Sequence, residues 1–293
     1  MIKSGFIAII GRPNAGKSTL INKIVGEKVS IVSFRPQTTR NRILGIINRE
    51  DLQAVFIDTP GIHRAKDKLS EYMLKSVNNS LEGVDAVLYL LDGSGYMDDI
   101  DRDFFNNYSA QAPLIAAVNK SDKAGREKCV KFLSELNGFD KIRAVFVISA
   151  LRGDNVGELT DELYKYLPPG DKMYPEDMYT DRTMRFIVSE IIREKAIFHL
   201  EQEIPYTLGV IIRSYSKRQD KFITDIAADI IAEREAHKPI IIGKGGSMLR
   251  KIGEQARLDI ERLTGGKVFL KLYVKVLKNW RESKSALEEL GYS

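Results

Sequence analysis

Through its first half the chain alternates short, uninterrupted apolar runs with longer stretches of amphipathic spacing. Runs at residues 6–10, 43–48, 52–58, 86–92, 114–119 and 144–149 have the length and the bounding Gly, Pro, Asn or Asp of buried strands. Helical patterns between them start near Lys17, Leu69, Asp98, Arg126 and Asn155. Strands that read as continuous hydrophobic runs are covered on both faces, and strand–helix alternation implies crossover connections. The predicted domain, over residues 1–167, is α/β: a mostly parallel six-stranded sheet with helices on both faces.

Residues 168–181 break this pattern. They hold Pro168, Pro169, Gly170 and Pro175 and predict a linker. Beyond it, residues 182–199 read as a helix with Asp181 as N-cap. Residues 206–215 and 222–233 read as strands, although the alanines of the second also suit a helix. Leu249, Ile252, Ala256, Ile260 and Leu263 recur at spacings of three and four, a helix. Val268, Leu270, Leu272, Val274 and Val276 alternate with Phe269, Lys271, Tyr273 and Lys275, a period-two strand. This second domain, residues 182–293, is α+β, and no internal repeat or low-complexity stretch interrupts either half.

A length of 293 residues fits two such domains, and 43% apolar with 29% charged residues is an ordinary globular balance. Cys129 stands alone, so no internal disulfide can form, which fits a reducing cytoplasm. The apolar run ahead of Gly11 is too short for a secretory signal, and no run of about 18 apolar residues suits a membrane span. Charge is uneven: residues 238–284 hold twelve Lys and Arg against four Asp and Glu. Such a cluster is either a solvated face or a surface for a polyanion, nucleic acid or anionic membrane.

Candidate chemistry begins at Gly11-Arg12-Pro13-Asn14-Ala15-Gly16-Lys17-Ser18, which has phosphate-loop spacing and lies between a predicted strand and helix. Its glycines let the backbone wrap phosphates, and amides up to Thr19 at the helix start meet the negative charge. Lys17 reaches the β- and γ-phosphates, and the Ser18 hydroxyl suits Mg²⁺. Asp58-Thr59-Pro60-Gly61 ends another predicted strand; there Asp58 can hold the metal through water, and the Gly61 N–H can meet a γ-phosphate. Asn119-Lys120-Ser121-Asp122 selects the base. Guanine offers two adjacent donors, N1–H and the N2 amine, which one carboxylate accepts together, and adenine lacks the pair. Asp122 therefore reads guanine, with Asn119 on N7 and Lys120 packed over the ring.

In the second half, Ile240-Ile241-Ile242-Gly243-Lys244-Gly245-Gly246 precedes the amphipathic helix. A G-x-x-G loop between two helices is the mark of the KH domain, which clamps about four nucleotides of single-stranded RNA. Glycines allow close backbone approach, and Lys244, Arg250 and Lys251 add charge near Gly243, Gly245 and Gly246. Lys267, Lys271, Lys275, Phe269 and Tyr273 share one strand face, either a base-stacking platform or, the reading favoured here, a partly covered outer face.

The three nucleotide motifs in this order resemble those of the translation-factor-related GTPases. The resemblance implies that Pro36-Gln37-Thr38-Thr39-Arg40 is the first switch, with Thr39 ligating Mg²⁺, and that the Ser149-Ala150 backbone meets guanine O6. Lys17, Thr39 and Gly61 are then the catalytic candidates. A Ras-like switch places glutamine after Gly61, and here the residue is Ile62, which cannot position water. Relatives with that substitution use K⁺ held in part by the asparagine matching Asn14, a residue that could equally serve only the loop turn. With the G-x-x-G loop, and with Tyr174-Pro175-Glu176-Asp177, Thr180-Asp181-Arg182 and Glu203-Ile204-Pro205-Tyr206, the whole chain resembles the Era-like family of ribosome-assembly GTPases. That likeness implies a type II KH topology, binding of the 3′ end of 16S rRNA in 30S subunit assembly, a monomer, and a cytoplasmic protein with peripheral membrane association. Two rival classes are a membrane-surface signalling GTPase and an interaction module that binds GTP without turnover. The G-x-x-G glycines favour RNA over lipid, and intact Lys17, Ser18, Thr39 and Asp58 favour turnover.

Overall fold

The computed structural model describes residues 1–33, 35, 38–63, 65–218 and 222–292, so Pro36 and Gln37 of the expected first switch lie outside the described residues. The chain divides into two compact units, one of residues 1–64 and 73–181, the other of residues 65–72 and 182–293.

The first unit is built on β1 (Lys3–Ile10), β2 (Ile43–Asn48), β3 (Leu52–Asp58), β4 (Ala86–Asp92), β5 (Leu114–Asn119) and β6 (Ile142–Val147). They form one sheet in the order β2-β3-β1-β4-β5-β6, with β2 antiparallel to β3 and all other pairs parallel. One apolar cluster includes Ile7, Ile9, Leu88 and Ile115 with Leu20, Ile21, Leu159 and Leu163. The last four belong to helices α1 (Lys17–Val25) and α5 (Val156–Lys165). Ala8, Val87, Tyr89 and Ala116 point to the opposite face and join Val77, Phe105 and Leu136. Those three come from α2 (Lys68–Asn79), α3 (Asp99–Asn107) and α4 (Arg126–Leu136). Burial on both faces explains why the strands lack alternation. In such a sheet ligands gather at the carboxyl ends of parallel strands. The loops after β1, β3, β5 and β6 carry the predicted nucleotide motifs.

Residues 168–181 are bonded along this unit. Ser4 N–H donates to Pro168 O at 3.0 Å and Gly170 N–H to Ile2 O at 3.0 Å. Gln53 Nε2 donates to Tyr174 O at 2.8 Å, and its Oε1 accepts from the amides of Met173 and Tyr174. Ile46 N–H donates to Tyr179 O at 2.9 Å, and Asn48 Nδ2 donates to Glu176 O at 3.0 Å. Tyr174 and Met178 pack on Leu44, Ile46, Val55 and Ile57.

The second unit carries α6 (Met184–His199), β7 (Gly209–Lys217), β8 (Ile223–Ala232), α7 (His237–Ile242), α8 (Ser247–Thr264), β9 (Lys267–Val276) and α9 (Lys284–Glu289). The sheet order is β7-β8-β9, with β7 antiparallel and β9 parallel to β8. Val188, Ile191 and Ile192 of α6 and Ile252, Ala256 and Ile260 of α8 bury against Ile226, Ala228 and Ile230 of β8.

Two expectations are corrected. Thr183, not Asp181, caps α6, its hydroxyl accepting from Phe186 N at 3.3 Å, while Asp181 Oδ1 accepts from Leu44 N. The strand expected from 206 begins at Gly209, because Pro205 holds residues 204–207 in a 3₁₀ turn. The expected strand over 222–233 forms as residues 223–232, and its alanines do not turn it to helix because β8 is central and buried. Phe269 and Tyr273 lie on an outer face that is partly covered, as expected, being 47% and 52% exposed, with Arg218 and Lys271 over the Phe269 ring.

Candidate nucleotide site and nucleic-acid interface

The phosphate loop follows β1. Gly16 caps α1 with φ 99°, and a Cβ there would lie 2.3 Å from Asn119 Nδ2. Only glycine fits a left-handed position so close to the base-binding motif. Lys17 is buried, and its ammonium donates to Gly11 O at 2.8 Å and Arg12 O at 2.9 Å. Burial pulls this ammonium down to about 8, against the opposing pull of the Asp58 charge.

Beside it lies an oxygen-only constellation. Ser18 Oγ and Thr39 Oγ1 are 2.7 Å apart, and Ser18 Oγ donates to Asp58 Oδ2 at 2.8 Å. Ser30 Oγ donates to the same oxygen at 2.7 Å, and Thr39 Oγ1 lies 3.5 Å from it. Burial pushes the Asp58 carboxyl up, while the Lys17 charge and the three hydroxyls hold it down. Among the described residues, Asp58 Oδ1 is buried and has no hydrogen-bond partner. Two hydroxyls and a carboxylate with an unsatisfied oxygen suit a hard cation that keeps several waters, so the residues fit Mg²⁺. Among the described residues no group of three or more His, Cys, Asp or Glu forms an alternative metal centre.

At the other end of the pocket Asn119 spans two loops. Its Nδ2 donates to Ala15 O at 2.8 Å and its Oδ1 accepts from Ala150 N at 2.8 Å. Asp122 Oδ1 accepts from Ser149 Oγ at 2.7 Å, and this bond holds the carboxyl below the usual range. Lys120 Nζ donates to Asp92 Oδ2 at 2.5 Å. The cavity, about 370 Å³, is lined by Asn14, Lys17, Ser18, Thr39, Asp92 and Asp122 among others.

Asp92 accepts from Ser94 through both N–H and Oγ, so its carboxylate is fixed before Lys120 reaches it. Burial raises its pKa, but the Lys120 and Ser94 hydrogen bonds outweigh that and leave it lowered. In Asp92→Asn Lys120 loses its charged anchor at the cavity wall. Release of a fluorescent GDP analogue, followed by stopped flow, is expected to quicken about tenfold, the size of one lost charged hydrogen bond.

In the second unit α7 ends at Gly243, with φ 74°. A Cβ there would meet Met248 N at 2.7 Å, whereas Gly245 and Gly246 have open space. Gly245, at φ 59°, and Gly246, at φ 78°, take left-handed conformations in the turn that leads into α8. A groove of about 300 Å³ continues from Gly246. Its apolar lining is Leu249, Leu270 and Leu272, and its polar lining is Arg250, Glu254 and Arg257.

Comparison with known proteins matches residues 6–120 to a family described as 50S ribosome-binding GTPase and residues 203–281 to the KH domain. GTPase Era of Caldicellulosiruptor saccharolyticus is 48% identical over 99% of this chain and 98% of its own. GTPase Era of Clostridium kluyveri is 48% identical over the whole of both chains. The chain belongs to the Era family of GTPases. A crystal structure of Era with MgGDPNP and nucleotides 1506–1542 of 16S ribosomal RNA covers the whole chain at TM-score 0.97 and 38% identity. An Aquifex aeolicus Era variant bound to GDP.AlF4⁻ does so at TM-score 0.96 and 37% identity.

In this Era-family chain Pro13, Asn14, Gly16, Lys17, Ser18, Thr19, Thr39, Gly61, Asn119, Lys120, Asp122 and Ala150 line one cavity. The Arg12 side chain is engaged elsewhere, paired with Asp98 at 2.8 Å and Asp101 at 2.9 Å. Thr59 Oγ1 donates to Ile9 O at 2.7 Å, and Pro60, Gly11 and Ala15 are buried backbone of the loops. Ile62 packs against the core around Tyr89 and Phe105. In the second unit Gly246 and Arg250 line the groove, whereas Ile242, Gly243, Lys244, Gly245 and Lys251 do not. Sequence reasoning missed Ser30 and Asp92, whose roles come from tertiary approach. It also missed Glu254 and Arg257, whose spacing from Arg250 on one helix was the available signal. No helix among the described residues is long and apolar enough to cross a membrane.

Proposed function

We propose that this chain is a GTP-hydrolysing switch that holds the 3′ region of small-subunit ribosomal RNA during 30S assembly. The observation that carries the reading is the gathering of Lys17, Ser18, Thr39, Asn119 and Asp122 around one cavity in a chain that also bears the G-x-x-G groove. Asp122 accepts guanine's two donors, Lys120 packs over the ring, and the Ser149-Ala150 backbone meets O6. Amides of the loop and the Lys17 ammonium neutralise the phosphates. Ser18, Thr39 and, through water, Asp58 hold Mg²⁺, which when bound neutralises charge on the β- and γ-phosphates. In turnover, water attacks the γ-phosphorus, the bond to the β,γ-bridging oxygen breaks, GDP leaves with the electron pair, and the water's proton passes to the phosphate oxygens or solvent as inorganic phosphate is released. Thr39 and the Gly61 N–H face the transferred group. The G-x-x-G loop with Arg250 takes the RNA backbone, and the groove beside it takes bases.

The protein works in the cytoplasm as a monomer, and its basic second unit gives it peripheral affinity for the membrane surface. Crosslinking in cell lysate followed by sequencing of the bound RNA is expected to recover the 3′ end of 16S rRNA. Recovery without enrichment of that end sinks the assignment. Asn14 sits at φ 65°, the left-handed conformation that asparagine tolerates, and lines the cavity. With K⁺ bound there, exchange of KCl for NaCl at equal ionic strength slows GTP turnover severalfold. Equal rates in the two salts leave Asn14 with the loop turn alone.

A further inference from the structure

Ser30 lies outside the nucleotide-binding motifs and does not line the cavity, although Ile31, Val32 and Ser33 after it do. It is 2% exposed. Its hydroxyl nevertheless donates to Asp58 Oδ2 at 2.7 Å, the oxygen that also receives Ser18. The serine backbone is clamped on both sides by Asn22 of α1. Asn22 Oδ1 accepts from Ser30 N at 2.9 Å and from Val29 N at 3.0 Å, and Asn22 Nδ2 donates to Ser30 O at 2.7 Å. The helix that starts at Lys17 therefore fixes where the Ser30 hydroxyl sits. That hydroxyl in turn fixes one oxygen of a carboxylate whose other oxygen is buried and has no partner among the described residues.

We propose that Ser30 is a positioning residue for the metal site: it pins Asp58 Oδ2, the oxygen on which the Ser18 and Thr39 hydroxyls also converge, and so orients the carboxylate toward the hydration shell of the bound cation. Ser18 and Thr39 are the groups read as direct ligands, so their hydroxyls have two tasks. Ser30, too deep to touch a ligand, has one. Outer partners of this kind orient the carboxylate before the metal arrives, and their loss costs about 10–100-fold in metal affinity. The inference rests on the reading of Ser18, Thr39 and Asp58 as the Mg²⁺ site.

The test follows release of a fluorescent GDP analogue from the full chain across a Mg²⁺ titration, with release in EDTA as baseline. Ser30→Ala is expected to raise the Mg²⁺ midpoint about tenfold, at the lower end of the range for outer partners, and to leave the EDTA rate unchanged. Ser30→Cys, similar in size with a weak S–H donor, is expected to shift it in the same direction and serves if the alanine variant does not fold. An unchanged midpoint in a folded variant overturns the proposal. So does equal acceleration with and without Mg²⁺, which marks general loosening of the pocket. Ser18→Ala separates the two levels: it must shift the midpoint, and if it does not, the reading of the metal site itself has failed.

Discussion

A Gly246→Asp variant keeps its fold and its GTP affinity and loses single-stranded RNA binding by about a hundredfold, near 3 kcal/mol. The site is suited to the test because a Cβ on Gly246 would meet nothing within 4 Å, and its φ of 78° is one that aspartate tolerates better than most residues. Gly243 would be a poor choice, since a side chain there collides with Met248 N at 2.7 Å and disturbs the loop itself. The new carboxylate stands where the groove begins and repels the phosphate that must approach. Lys244→Ala costs less, removing one of several phosphate contacts. A clamp of about four nucleotides gives a log–log salt slope of roughly −3 in the wild-type chain. Anionic vesicles respond to a multiple Lys→Ala surface variant and ignore Gly246→Asp. RNA affinity unchanged by Gly246→Asp in a folded protein defeats the assignment of this loop.

Asp122→Asn lowers GTP affinity about a thousandfold, because an amide donor then faces guanine's own donors in a site built to accept them. Ser149 Oγ, which donates to Asp122 Oδ1, can still donate to the asparagine carbonyl, so the loop geometry survives. XTP, with a carbonyl where guanine has an amine, gains relative to GTP in a competition assay. Unchanged preference for GTP rules out this carboxylate as the base reader. The Ser149 hydrogen bond holds the wild-type carboxyl below the ordinary aspartate range, so Asp122 itself adds no loss of guanine recognition as pH falls to about 5.

The nucleotide pocket was legible because its chemistry is carried by short loops in which identity and spacing are both constrained. Asp58 and Asn119 end β3 and β5, Asp122 lies in the turn after β5 and Lys17 opens α1, and the strands announced themselves as runs buried on both faces. What stayed hidden depends on approach across the fold. Ser30 is eight residues beyond Asn22 and twenty-eight before Asp58, so no local pattern links them. Asp92 was read only as the end of a strand, and its partner Lys120 is also twenty-eight residues away. Around the RNA loop, His237–Ile242 contains a proline and three isoleucines, a composition that resembles strand more than helix, yet it folds as α7. Asp181 and Thr183 both make good helix caps, and packing of Asp181 on β2 decided between them.

Prolines in residues 168–181 signalled the end of regular structure, which is a different thing from a lack of attachment. This strap runs along β2, one of the two edge strands of the sheet, and Tyr179 O occupies the amide of Ile46. Beneath it lies Ile43-Leu44-Gly45-Ile46-Ile47, apolar, uncharged and rich in β-branched residues. An open edge of that composition is a template for pairing with other chains. The strap covers that edge, so a fragment ending at residue 167 is expected to aggregate faster by light scattering than one ending at 181.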